Sequence, residues 1–453
     1  MVSQFDGSLE TWRVVLVSTV VLFVTMFAVA AGIGGGGLLV PIYAYVLGLG
    51  PQLAVPVSKA TIFGVAVGNV FYISREKHPK ANRPLIDYPT AVLMQGGELL
   101  GVVIGVLFNL LLSEAMIIIL LVVVLGFNAY KTLGKGVQKW KAETRAMAAT
   151  KTSARTSSDL QSVEMQMPQV AEGAQPSVSS PAPDHEINVE EPRGADPQPA
   201  EVTLLLTNEA TQFPLWAWAA LLGMASFIVL YSFLLAGFLA PELDLCHSGY
   251  WPTYVTPFVF YGLLMLMFAH RNVRQHQAKV ACGFPLAEGD IVWTPRAAMM
   301  LCPAAVGAGA AAGLLGIGGG MILGPIFVAL DFQPQVGTAT TGFMILFTAF
   351  GGTVKYLAVG KLPWRYLLWF GCIGALGGQV GQRVVKKVLL RTGRPSIVVL
   401  LLGSIIGLAV IVMASMGVTD AVSRAQGGQN LWELDTTQFE CVQLAGANET
   451  SGS

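Results

Sequence analysis

Charge is scarce in this chain. Asp, Glu, Lys and Arg together make up 12% of its 453 residues, about half of what a soluble domain carries. The formal net charge is zero, so bulk charge offers nucleic acid no basic surface and none is expected as a partner. The five cysteines, Cys246, Cys282, Cys302, Cys372 and Cys441, include no CxxC pair and no zinc spacing, which excludes a zinc module and a dense disulfide framework. HExxH, GxSxG and P-loop motifs are missing, and with them the usual enzyme chemistries, so the chain is not read as an enzyme and no cofactor is expected. Glu242, Asp244, Cys246 and His247 share one short loop, but no second ligand pair accompanies them, and no metal site is read there. The first apolar block, Val14 to Ala31, leads into glycines and more apolar sequence with no clear cleavage site for a leader.

What is present is apolar. Hydrophobic residues reach 53% and the mean hydropathy is +0.61. The apolar residues fall into twelve segments, approximately 14–33, 36–49, 54–73, 88–112, 114–133, 214–240, 251–269, 296–316, 320–331, 335–358, 363–385 and 396–417. Most approach the roughly 20 residues that a helix needs to cross the hydrocarbon. The segments 36–49 and 320–331 are short and follow glycine runs. Backbone in lipid must be paired or shielded by protein, so these two are expected to be helices or to be enclosed by others.

The expected organisation is a first transmembrane repeat over 1–133, a cytoplasmic linker over 134–213, connecting transmembrane helices over 214–270, a second transmembrane repeat over 296–417 and a polar tail over 418–453. The linker reading rests on 142–211, rich in Ser, Thr, Pro, Gln, Glu and Ala, which cannot bury enough surface to offset its ordering entropy and is expected to be disordered. Basic residues gather in 74–87, just after 133, in 270–296 and in 383–394, and the positive-inside rule places these in the cytoplasm. Twelve crossings with both termini outside satisfy that pattern and make the two repeats inverted. Ten crossings, with the short segments re-entrant, would make them parallel. The sequon Asn448-Glu449-Thr450 then lies outside, as do Cys246 and Cys441, which could pair there.

The repeat itself carries the main signal. Gly32-Ile33-Gly34-Gly35-Gly36-Gly37-Leu38-Leu39-Val40-Pro41-Ile42 returns as Gly316-Ile317-Gly318-Gly319-Gly320-Met321-Ile322-Leu323-Gly324-Pro325-Ile326. Each copy leads through a short apolar run to a Pro-Gln pair, Pro51-Gln52 and Pro334-Gln335, and then to a long segment rich in small and hydroxyl residues. A single glycine pair in a membrane helix is explained by close packing. Four consecutive glycines weaken a helix by roughly 1 kcal/mol per residue relative to alanine. That cost recurs at matching positions in both halves, which favours a functional helix break of the kind secondary transporters use. The fold expected is an all-α polytopic membrane bundle with two homologous halves, each containing a glycine-broken helix.

The two G-I-G-G-G copies, the prolines after them and the Ser58-Lys59-Ala60-Thr61 stretch resemble the sulfite exporter TauE/SafE family over about 1–133 and 214–417. The Ser-Lys pair is similar to eukaryotic members. The resemblance implies transport of sulfite, sulfonates or related organosulfur anions. The second copy has Gly342 where the first has Lys59, so the cationic feature is not duplicated.

Substrate-binding candidates are Gly34, Gly35, Gly36, Gly37, Gly318, Gly319 and Gly320, whose backbone would hold an anion, with Ser58, Lys59, Thr61, Thr340 and Thr341. Ser and Thr in membrane helices often bond their own backbone instead, and Lys59 has the alternative of snorkelling to the interface. Glu98, in Gln95-Gly96-Gly97-Glu98 near the middle of its segment, is the candidate for a coupling proton, with Gln95 beside it; the alternative is a structural carboxyl. Lys355 lies near a segment end, where snorkelling is expected. Anion transport in a lipid bilayer is the leading reading. A membrane scaffold or receptor that signals through the linker is the alternative.

Overall fold

The computed structural model describes residues 11–30, 35–78, 81, 83–164, 211–238, 250–282, 291–329, 332–392 and 396–426. Gly34, the loop holding Glu242, Asp244, Cys246 and His247, linker residues 165–210, Cys441 and the Asn448 sequon lie outside these. Among the described residues the chain forms twelve helices: α1 Thr11–Ala30, α2 Gly36–Tyr45, α3 Pro51–Ile73, α4 Tyr88–Leu111, α5 Glu114–Glu164, α6 Leu215–Leu235, α7 Tyr250–Ala281, α8 Pro295–Leu315, α9 Gly320–Ala329, α10 Pro334–Ala358, α11 Trp364–Thr392 and α12 Ser396–Gln426. The all-α bundle expected from the sequence is what forms.

Eight of these helices are long and apolar enough to cross a membrane. Outward faces carry large apolar side chains such as Val123, Phe127, Leu263, Leu266 and Ile411, which water would not tolerate in such numbers and lipid covers. The chain is a multi-pass integral membrane protein.

Small residues set how the helices pack. Gly64 and Gly68 of α3 bring that backbone against Gly371 and Ala375 of α11. Gly101 and Gly105 of α4 do the same against Val306 and Ala310 of α8. Close backbone approach of this kind is the usual source of cohesion between helices in lipid.

These contacts also fix directions. Trp369 Nε1 donates to Ser18 Oγ at 3.0 Å, and Gly377 lies on Thr25 and Gly381 on Met26, so α1 runs with α11. Gly64 meets Gly371 and Gln382 Nε2 donates to Asn69 Oδ1, so α3 runs with α11 as well. In the second repeat, α8 and α10 both run with α4: Gly97 lies on Ala305, Asn109 bonds Leu314 O, Asp87 N donates to Thr340 Oγ1 and Gly351 lies on Leu99. Against α3, α10 is reversed, with Gly352 beside Lys59 and Gly342 beside Asn69. The two repeats are therefore inverted.

The short segments explain how. α2 and α9 have ten residues each, about 15 Å, which is half the hydrocarbon thickness. Neither crosses as a helix alone. In the second repeat the rest of the return is extended backbone: Leu314 N lies beside Gly105 and Gly319 beside Glu98, seven residues apart on α4, or about 10 Å. Half helix plus extended stretch makes one broken crossing. Gly35 and Gly316, at φ 79° and 67°, take the left-handed conformation these breaks require and that side chains resist.

The linker expected from 134 differs from the structure, where α5 continues to Glu164. Residues 139–151 contain Lys, Ala, Glu, Arg and Met, strong helix formers. The carboxylate of Glu143 accepts from both the backbone N and the Oγ of Ser396, the first residue of α12. That bond satisfies an otherwise orphaned N–H at a helix start and fastens α5 to α12 beyond the apolar stretch.

Candidate functional site

The two glycine elbows meet in the middle of the bundle. A Cβ built on Gly36, the first residue of α2, would come within 2.7 Å of both Gly316 O and Gly318 N. Gly37 lies against Met321 of α9 and Leu125 of α5. Glycine at position 36 lets backbone touch backbone across the repeat interface, and at 37 it leaves room for the two side chains. Gly35 to Gly37 and Gly318 to Gly320 are all buried.

Side chains from α3 and α4 close around the second elbow. Ser58 Oγ donates to Gly316 O at 2.9 Å and Lys59 Nζ to Ile317 O at 3.2 Å. Lys59 is 1% exposed, so it does not snorkel. Its stem lies along Gly352, where the missing side chain leaves room. From the other side, Glu98 approaches Gly319 so closely that a Cβ there would meet Glu98 Oε1.

Glu98 is fully buried. Gln95 Nε2 donates to Thr348 Oγ1 at 3.1 Å, and Thr348 Oγ1 donates in turn to Glu98 Oε2. Glu98 Oε1 and Gln95 Oε1 have no hydrogen-bond partner among the described residues. Buried polar atoms are rarely left so, and in a membrane protein an ionisable group at this depth marks a functional path. Oε1 lies at the N-terminus of α9, the end of a helix that favours negative charge.

Not every candidate joins this cluster. Thr61 Oγ1 donates to Val57 O and shares a hydrogen bond of 2.7 Å with Tyr43 OH of α2, so it ties α3 to the half helix. Thr340 Oγ1 accepts from Asp87 N, and Thr341 Oγ1 bonds Gly337 O and Thr338 O of its own helix. Both stand about 10 Å or more along α10 from Thr348, too far to reach the elbows. Thr348 is the partner that sequence reasoning missed, because a lone hydroxyl inside Met344–Phe347 and Ala349 carries no periodic signal. Lys355 also departs from expectation. It is 6% exposed, and its ammonium lies over the rings of Tyr231 and Tyr254 rather than open to solvent.

Inverted repeats, half-helix elbows meeting at the bundle centre, and ionisable groups aimed at them define the class: a polytopic membrane transporter. The chain belongs to the sulfite exporter TauE/SafE family, whose model matches residues 17–161 and 210–410. The first of these matched ranges continues along α5 well past 133. Sulfite exporter TauE/SafE family protein 3 of Arabidopsis thaliana is 28% identical over 417 residues, covering 92% of this chain and 81% of that protein. Family protein 2 of the same plant is 29% identical, covering 86% and 80%. The probable membrane transporter protein YunE of Bacillus subtilis (strain 168) is 35% identical over 98 residues, covering 20% of this chain and 34% of that protein. No solved structure matches the chain.

Proposed function

We propose that this transporter carries a small sulfur-containing oxyanion, sulfite or a sulfonate, by alternating access between its two repeats. The names of the relatives suggest the substrate class. The observation that supports the mechanism is the contact of Gly36 with Gly316 and Gly318, because it brings two half-helix N-termini to one central point.

An anion leaving water needs compensating positive charge or its desolvation cost is prohibitive. Each half-helix start supplies about half a positive charge and unpaired N–H groups. The backbone of Gly35 to Gly37 and Gly318 to Gly320 holds the oxyanion. Lys59 adds a full charge, and Ser58 and Thr61 position the elbows around it. Glu98 stands at the start of α9 where the oxyanion has to go. A carboxylate and an oxyanion cannot share that end, so substrate enters as Glu98 takes up a proton or withdraws. Coupling to a proton follows from this competition, with Gln95 and Thr348 orienting the carboxyl.

The test is uptake of labelled sulfite and taurine into proteoliposomes, with and without a proton gradient. Uptake of either substrate above protein-free vesicles is expected, enhanced by the gradient. No uptake of sulfite or any sulfonate would refute the substrate class. Uptake indifferent to the gradient would refute the role of Glu98.

A further inference from the structure

Lys355 is a second buried cation, one that the central site does not use. It lies one turn from the end of α10 and is 6% exposed. Its Nζ sits 4.7 Å from the ring centroid of Tyr231 on α6 and 5.9 Å from that of Tyr254 on α7. Among the described residues no carboxylate pairs with it. Ring faces attract a cation through their quadrupole. They return less than it costs to take an ammonium out of water. A buried cation to which the described residues offer only ring faces is suited to meet an anion that comes and goes.

Its place in the bundle says which anion. Gly352, whose missing side chain accommodates the Lys59 stem, precedes Lys355 by three residues, so the two face the same strip of α10. The strip runs from the central elbows toward the end of the bundle where α3 begins and where α6 and α7 are joined. Tyr254 is partly exposed there. Lys59 at the centre and Lys355 about one turn further out form two cationic steps in line.

We propose that Lys355, framed by Tyr231 and Tyr254, is a second anion station through which the oxyanion passes between the elbows and that end of the bundle. This rests on the carrier reading above. A station on one limb of the path affects affinity from one side only, whereas a merely structural lysine affects folding or turnover from both.

The experiment measures KM for sulfite separately from each face in vesicles of known orientation. Lys355→Gln is expected to raise KM about tenfold from the face where α3 begins, the loss of one charge-assisted contact, and to leave KM from the other face within about twofold. Lys355→Arg is expected to retain most of the affinity. Tyr254→Leu, which leaves the cation in place, guards against a misfolded Lys355→Gln and is expected to shift KM from the same face. Equal shifts from both faces, or none, in the variants that insert would overturn the station. Wild-type vesicles that move neither sulfite nor a sulfonate would overturn the carrier reading itself, a result obtained before any variant is compared.

Discussion

Glu98 points a carboxyl oxygen with no hydrogen-bond partner among the described residues at the α-carbon of Gly319, so closely that a methyl group on Gly319 would run into it. The side chain can yield only by leaving the start of α9. Gly319→Ala is therefore expected to insert normally and to lower transport by more than about tenfold, since a small misplacement at a reacting or binding centre costs that much or more. Gly64→Ala is the contrast. There the clash is with the backbone oxygen of Gly371, which cannot move aside, so the expected loss is in thermal stability of the purified protein. Normal transport by Gly319→Ala would show that the elbows are packing surfaces alone.

Glu98→Gln keeps a side chain of the same shape within reach of Thr348 but removes the ionisable group. Transport by this variant is expected to lose its response to a proton gradient while exchange of labelled for unlabelled substrate continues. Counterflow and gradient-driven uptake, measured on the same vesicles, separate the two. A gradient response equal to that of the wild type would exclude Glu98 as the coupling group.

Lys59→Gln removes one charge but leaves both half-helix ends. A KM raised about tenfold with little change in maximal rate is expected, from the typical worth of a charge-assisted contact. Complete loss of transport in correctly inserted protein would mean that Lys59 fixes the elbow through Ile317 O rather than supplying charge.

The basic clusters converge on one end of the bundle. Lys386 Nζ lies 3.4 Å from Glu76 Oε1, Arg83 and Arg271 line one cavity, and Glu143 meets Ser396. The positive-inside rule predicts that this end is cytoplasmic. Cysteines placed at Glu76 and Lys386 should react with an impermeant maleimide only after the membrane is opened, and one placed at the exposed Arg365, at the opposite end, should react on intact cells. The reverse pattern would invert the assignment.

The segment between the repeats divides at α5. Deleting 165–205 should leave vesicle transport largely intact and alter trafficking or partner binding. Glu143→Ala removes the acceptor at the start of α12, and a cap of this kind is worth about 1 kcal/mol. A measurable drop in melting temperature is expected for Glu143→Ala. Loss of transport in the inserted deletion variant would give the segment a direct part in transport.

Much of this was legible in the chain itself. Segment length and the duplicated G-I-G-G-G gave twelve helices and two halves, and the glycine runs located the elbows. The inversion was legible only as one of two alternatives, because residue counts cannot tell a broken crossing from a re-entrant one. The paired extended stretch and half helix, seen at Gly316 to Gly319, had to be observed. Glu98 stood out because a carboxyl deep in lipid is costly, but its partner Thr348 did not, since one hydroxyl in an apolar run has many explanations. Thr340 and Thr341 were misleading for the opposite reason: a cluster of hydroxyls attracts attention, while their position along α10 places them short of the centre. Composition misjudged the start of the linker because helix-forming charged residues in water look like disorder until something such as Ser396 fastens them.

Inverted halves would make the inward-facing and outward-facing carriers energetic twins if their side chains matched. They do not match. Glu98 stands at the start of α9, and the atoms closest to Gly35, Gly36 and Gly37 belong to apolar side chains and backbone. Lys59 likewise has Gly342 as its counterpart. Under the alternating-access proposal, the resting population is expected to be tilted toward one face, by whatever free energy separates the two arrangements. That bias decides which compartment meets a receptive carrier at low substrate concentration. It leaves the direction of net flow to the gradients.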